Sequence, residues 1–226
     1  MFAKATKKSV APKVAIQGVS GAGKTFSALR FARGLGERVA LIETENRSAS
    51  LYASAFDFDA CEIMPRPFGN STAFWWTDFR DAIQAAIDAK YDVLIVDSAS
   101  HIWDATLAFK SRLDTQGGNS YANWSVPSQT FATVQNAILQ APIPVVCTFR
   151  SKMEYALENV DGKLIPRKVG LAPVTRADAE YDFTLVFDID RDHVATVSKS
   201  RAAIFGDDFK EILTEEHGKR FKEWLK

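Results

Sequence analysis

Cysteine and histidine are scarce in this chain. Two cysteines and three histidines are spread far apart over 226 residues. That scarcity argues against a zinc centre and against a disulfide-stapled scaffold. Cys61 and Cys147 both stand in apolar, strand-like contexts, which predicts buried, reduced thiols. Net charge is missing too: 28 basic and 28 acidic side chains cancel. No global field therefore draws the protein onto nucleic acid, and any such contact needs a local patch. No apolar run approaches the length of a membrane span, so no membrane partner is expected. The first thirteen residues are basic but lack the apolar core of a secretory signal, which predicts a cytoplasmic protein. Internal repeats, low-complexity tracts and linkers are absent. So is the N-K-x-D run that reads guanine, which argues against a Ras-type GTPase.

What is present alternates. Apolar runs predict strands near Val14–Gln17, Val39–Ile42, Cys61–Met64, Val93–Asp97 and Pro144–Phe149. Between them, helices are expected near Lys24–Gly34, Trp75–Ala89, His101–Leu113 and Pro127–Gln140. In the second helix Phe79, Ile83 and Ile87 recur every four residues, as one apolar face requires. Strands separated by helices pair in parallel. The expected fold class is α/β, a three-layer sandwich around a mostly parallel sheet. The final third reads differently. Asp161-Gly162 predicts a hairpin turn within Tyr155–Val169, and Asp190-Arg191-Asp192 a second one between Phe183–Ile189 and Val194–Ser198. A terminal helix from Lys210 to Leu225 is expected to pack through Ile212, Leu213, Phe221 and Leu225. The organisation expected is a flexible basic arm over 1–12 and one domain over 13–226; Lys4, Lys7, Lys8 and Lys13 read as arm residues.

The stretch Gly18-Val19-Ser20-Gly21-Ala22-Gly23-Lys24-Thr25 fits G-x-x-x-x-G-K-[ST] between a strand and a helix. That placement points backbone N–H groups and the positive helix end at bound phosphates. Gly18, Ser20, Gly21, Ala22, Gly23, Lys24, Thr25 and Phe26 are the expected nucleotide-binding residues. Lys24 would reach the outer phosphates, and Thr25 would ligate Mg²⁺. Val93-Leu94-Ile95-Val96-Asp97 supplies the second metal-side acid, Asp97. The next residue is Ser98, which is no base at neutral pH, so the water-activating group must come from elsewhere. Val39–Ile42 runs into Glu43-Thr44-Glu45, and a parallel sheet places its carboxyl ends on one edge. Glu45 is the expected general base, with Glu43 its competitor. ATP is the expected nucleotide; no residue is assigned to its ring.

Together these residues resemble the RecA-type recombinase core. Leu41-Ile42-Glu43-Thr44-Glu45 resembles the strand whose last Glu is that family's catalytic base, and Val93–Ser98 the strand ending in Asp-Ser. Pro144–Arg150 sits where the family carries its γ-phosphate sensor. RecA has a Gln there, and here Thr148, Arg150 and Lys152 are alternatives. Arg150-Ser151-Lys152-Met153-Glu154-Tyr155, Arg167–Pro173 and Glu180-Tyr181-Asp182-Phe183 are similar to small phage-encoded RecA-core ATPases of the single-strand-annealing, Sak-type group, several described only as AAA-family ATPases. The resemblance implies ATP-dependent action on single-stranded DNA in phage recombination, in the host cytoplasm. A single-strand-binding protein is a conceivable partner. Thr196–Ala203 resembles the strand whose two cations reach a neighbour's ATP, here Lys199 and Arg201. That implies a homo-oligomer, either a ring or a helical filament.

Two segments suit single-stranded DNA. Lys110, Arg112, Tyr121 and Trp124 combine cations, rings and the glycines at 117–118. From Arg150 to Arg176, six basic residues face three acids, among them Lys152, Arg167 and Lys168. Trp75-Trp76 reads as core and helix start, and Phe2-Ala3-Lys4-Ala5 as a loose match to an F-x-x-A polymerisation pattern. Two other functions stay open: a monomeric P-loop kinase or ATPase acting on a small molecule, and a nucleotide-gated adaptor of a replication protein.

Overall fold

A computed structural model describes residues 4, 6–7, 10–69, 71–160 and 163–226; for 153–160 and 163–171 it describes the backbone alone. The F-x-x-A match and the Asp161-Gly162 turn thus lie outside the described residues. β1 (Lys13–Gly18) leads into α1 (Lys24–Leu35) and β2 (Val39–Glu43). β3 (Asp59–Glu62) follows, then a small hairpin of β4 (Arg66–Phe68) and β5 (Ser71–Ala73). Next come α2 (Trp76–Asp88), β6 (Val93–Asp97), α3 (Ser100–Thr115) and α4 (Ser125–Gln140). The last third holds β7 (Val145–Val160), β8 (Lys163–Pro173), β9 (Leu185–Ile189), β10 (Ala195–Ser200), β11 (Lys210–Glu211) and α5 (Glu215–Trp224). Among the described residues no helix is long and apolar enough to cross a membrane.

The main sheet runs β11-β10-β9-β1-β7-β6-β2-β3, with β8 added to β7. From β9 to β3 all neighbours are parallel; β10, β11 and β8 pair antiparallel. Side chains alternate across this sheet. Val14, Ile16, Leu41, Ile95 and Phe187 face α1 and α5, whose Leu29, Phe31 and Phe221 are fully buried. Ala15, Ile42, Leu94, Val96 and Cys147 face α2, α3 and α4 through Phe79, Ile83, Ile102, Phe131 and Val134. The three-layer α/β sandwich is as expected from the alternation. Each fully buried Leu, Ile or Phe contributes roughly 1.5–3 kcal/mol by leaving water, so the two faces together supply the drive that orders the sheet.

Several expectations change. Lys13 is no arm residue: it opens β1, is 4% exposed, and donates to the Ala141 and Ile143 carbonyls at 2.8 and 2.9 Å. Burial lowers its pKa to about 8. Cys147 is buried, which pushes its thiol up to about 12, but Cys61 is exposed on β3 near the sheet edge. Ile212 is 48% exposed; Leu213 and Phe221 carry the terminal packing. The terminal helix is shorter than expected, because Lys210–Glu211 pairs with β10 instead. The strand at Pro144–Phe149 continues to Val160. Its first half pairs with β1, and from Ser151 it pairs only with β8.

Helices α1 and α5 cross at glycines. A Cβ on Gly218 would lie 2.1 Å from the Phe31 carbonyl oxygen, and one on Gly34 would lie 2.1 Å from that of Glu215. Both obstacles are backbone, so neither can swing aside. Gly218→Ala is expected to lower unfolding stability by about 1–3 kcal/mol. Glu223→Ala, on the exposed face of the same helix, should stay within about 0.5 kcal/mol. Urea denaturation of both variants tests this; equal stabilities would rule the close crossing out.

Candidate active site

Parallel strand ends meet at one edge of the sheet. Register pairs Gly18 with Arg150 on one side and Ile189 on the other, and pairs Glu43 with Asp97. A cleft of ≈ 630 Å³ opens there, lined by Gly21, Lys24, Thr25, Glu45, Asp97 and Arg150 among others. The loop and Glu45 therefore face the same space.

The loop is built for an anion. Gly21 and Gly23 have φ of 80° and 83°, in the region that favours glycine. A Cβ on Gly18 would come within 2.5 Å of the Ile189 carbonyl oxygen, so only glycine lets β9 pack this closely. Helix α1 starts at Lys24 with no side-chain cap and no acid in its first turn. Its first amides are left for a ligand, and the helix dipole favours negative charge there. Lys24 Nζ donates to the Val19 carbonyl at 3.0 Å. Burial lowers its pKa; Glu45 and Asp97 oppose that, and Arg150 adds to it. Ala22 is fully buried beneath the loop, and Ser20 lines the cleft.

Asp97 is 2% exposed at the end of β6, where its peptide to Ser98 is cis. Thr25 Oγ1 donates to one carboxylate oxygen at 2.6 Å, and Thr148 Oγ1 donates to the other. Desolvation pushes the Asp97 pKa up, and both hydroxyls pull it down. Among the three sensor candidates, Thr148 thus binds the acid rather than lining the cleft. Arg150 does line it. Its Nε and Nη2 donate to Glu45 Oε1 at 3.0 and 2.9 Å. Lys152 lies in the wall of a neighbouring cavity with Trp103 and Arg176. Glu43 is not in the cleft: it is 1% exposed and accepts the Ala49 N–H at 2.7 Å. Burial raises its pKa. That bond closes the turn after Glu45, in which Asn46 and Arg47 have φ of 57° and 61°. Glu43 shapes the loop that presents Glu45.

Residues 11–217 match the family described as AAA domain. The chain belongs to that family. No curated protein matches it. Family membership carries nucleotide binding and hydrolysis by a phosphate loop. In this AAA domain the oxygens of Thr25 and Asp97 stand together at the loop, which fits a magnesium ion that keeps most of its other positions for phosphate and water. Among the described residues no group of three His, Cys, Asp or Glu side chains is placed to hold a metal ion. Tyr52 and Ser48 also line the cleft, and neither was signalled by a motif. Tyr52 meets Phe26 edge to face at 5.4 Å.

Other expected residues lie elsewhere. Lys199 Nζ donates to the Glu180 carbonyl at 2.6 Å, and Arg201 Nη2 to that of Tyr181 at 2.9 Å. The Arg201 N–H donates to the Thr184 carbonyl, and the Thr184 N–H to that of Lys13. Arg201 is therefore at the edge where β1 begins, opposite the loop. Lys110 binds Asp114 and Ser120 and lies over the Trp124 ring, which stacks on Trp103. Arg112 covers Phe68, and Arg176 pairs with Asp178. Tyr121 is 89% exposed. The Arg167 and Lys168 side chains lie outside the described residues. Trp75 and Trp76 pack with Phe68 and Phe109 at the start of α2.

Thr148→Val removes a donor that favours ionised Asp97. A carboxyl with a raised folded-state pKa binds its proton more tightly folded than unfolded, so stability falls as pH rises through that window. The variant should lose more than the parent: about 1–3 kcal/mol at neutral pH, narrowing below about pH 4. Urea unfolding across pH measures it, and a pH-independent difference would exclude this role for Thr148.

Proposed function

We propose that this domain hydrolyses ATP with Mg²⁺ and couples hydrolysis to single-stranded DNA, as a RecA-like homo-oligomer in phage recombination. One observation carries the reading. Arg150 holds Glu45 through its side chain, and its backbone is where β7 leaves the sheet for the long hairpin with β8. The Arg150 carbonyl accepts the Val174 N–H at 2.6 Å, closing the hairpin base.

In this reading the loop amides and Lys24 bind the phosphates, and Tyr52 offers a ring face to the base. Thr25 and Asp97 would hold Mg²⁺, whose charge neutralises the phosphate oxygens. Glu45 takes a proton from the attacking water. The two Arg150 donors occupy Glu45 Oε1, so the resting pair restrains its approach to the attacking water. DNA bound on the hairpin would draw Arg150 off Glu45 and leave it to stabilise charge on the transferred phosphoryl group. The exposed Lys152 and Tyr121 suit a phosphate backbone and a base. Arg201, at the edge opposite the loop of its own chain, is placed away from that chain's own nucleotide and would reach a nucleotide held by a second copy.

A second reading has its own support. Lys199 and Arg201 are tied to backbone carbonyls of their own chain, and the net charge is zero. A monomeric kinase or ATPase on a small molecule, or an adaptor, would use them so.

Single-stranded DNA titrated at low salt should raise the ATPase rate several-fold; a flat titration at high protein concentration favours the monomeric reading. Lys24→Ala should abolish nucleotide binding. Glu45→Gln should retain binding and lose roughly 10²–10⁴-fold in turnover; for an adaptor, function would survive it. In Arg150→Ala, basal turnover should rise as the restraint on Glu45 is lost, while DNA no longer changes it. Retained stimulation in that variant removes the coupling role.

A further inference from the structure

The turn between β9 and β10 touches the phosphate loop from outside the cleft. His193 Nδ1 lies 3.0 Å from the Ala22 carbonyl oxygen. A carbonyl only accepts, so Nδ1 carries the hydrogen. His193 has φ of 65°, uncommon for a residue with a side chain. The turn enforces it. Asp190 Oδ1 accepts the N–H groups of Asp192 and Val194 at 2.9 and 3.0 Å, and the Asp190 carbonyl accepts the N–H of His193 at 3.2 Å. A strained conformation that is this closely held points to a use. The fit on the loop side is equally tight. A Cβ on Gly23 would lie 2.9 Å from Nδ1, so glycine there also makes room for the imidazole.

We infer that His193 is a positioning residue for phosphate binding: by holding the Ala22 carbonyl outward, it aims the Gly23 N–H into the cleft. The reason is covalent. The Ala22 carbonyl and the Gly23 N–H share one planar trans peptide and point in opposite directions. Fixing one end of the plane fixes the other. Gly23 lines the cleft, and no described residue accepts its N–H. Without the brace this peptide, flanked by glycine, can rotate and turn its oxygen toward the phosphates. His193 touches the loop only and takes no part in the water attack. The inference rests on the nucleotide-binding reading of this cleft.

Calorimetry with Mg·ADP tests it, alongside steady-state turnover. His193→Gly accepts the left-handed backbone and has no donor. His193→Asn also accepts it and keeps an amide donor close to the Nδ1 position. His193→Gly should weaken ADP binding about tenfold, or about 1.4 kcal/mol, and raise the KM for ATP alike. Its kcat at saturation should stay within about twofold. His193→Asn should recover to within about threefold of the parent. Parental affinity in the glycine variant, or no recovery in the asparagine variant, overturns the inference. If the parent itself does not bind ADP, the nucleotide reading fails first and takes this one with it. A measurement on the unaltered protein stands beside the variants. Nitrogen-15 NMR of the imidazole should show Nδ1 protonated; a neutral ring protonated only at Nε2 overturns the brace even if the glycine variant does not fold.

Discussion

A buried carboxylate holds this site together. Asp97 ends β6, an interior strand of the sheet, with almost no exposure to water, and two hydroxyls meet it, one from the loop helix and one from β7. Leaving water favours the neutral acid, and the two donors favour the anion. Three elements far apart in the chain are thus tied at one point. Their backbones cannot drift without leaving a desolvated acid unsatisfied, which is costly in a dry interior. The start of α1 and the neighbouring ends of β6 and β7 are joined through that arrangement.

A second, more exposed polar pair lies across the same cleft. Arg150 is on β7 and Glu45 follows β2, strands separated by β6, and both remain partly open to solvent. An ion pair of this kind contributes little to stability, typically under about 1 kcal/mol. Its interest is its place, because it joins an acid of the cleft with the residue at the root of the long hairpin. Beneath it Glu43 closes the turn that presents Glu45. Two neighbouring acids in one sequence run therefore have separate tasks, one in the core and one in the cleft.

The basic residues show how a local excess of cations is answered by acids elsewhere in the fold. From Arg150 to Arg176 the chain carries more cations than acids, yet Arg150 is bound to Glu45 and Arg176 to Asp178. Lys110 is likewise held by Asp114, and Arg112 rests on an aromatic ring. Glu45 and Asp178 lie outside the segment from Arg150 to Arg176, and Asp114 follows Lys110 by one helical turn.

The alternation of apolar runs was enough to read the parallel sheet, the helices and the phosphate loop, because each is a local pattern with its own period and breakers. Gly18 to Thr25, Asp97 and Glu45 were legible for the same reason: each stands at the end of a short buried run. Tyr52 and His193 carried no such signal, and Thr148 and Arg150 stood only as alternative phosphate sensors, Arg150 also as a DNA contact, since their neighbours in space are many residues off in sequence. The long β7–β8 pairing, the exposure of Cys61 and the burial of Lys13 also came only from assembly. A strand's face and a side chain's partner are settled by what packs beside it, and one local window does not contain that neighbour.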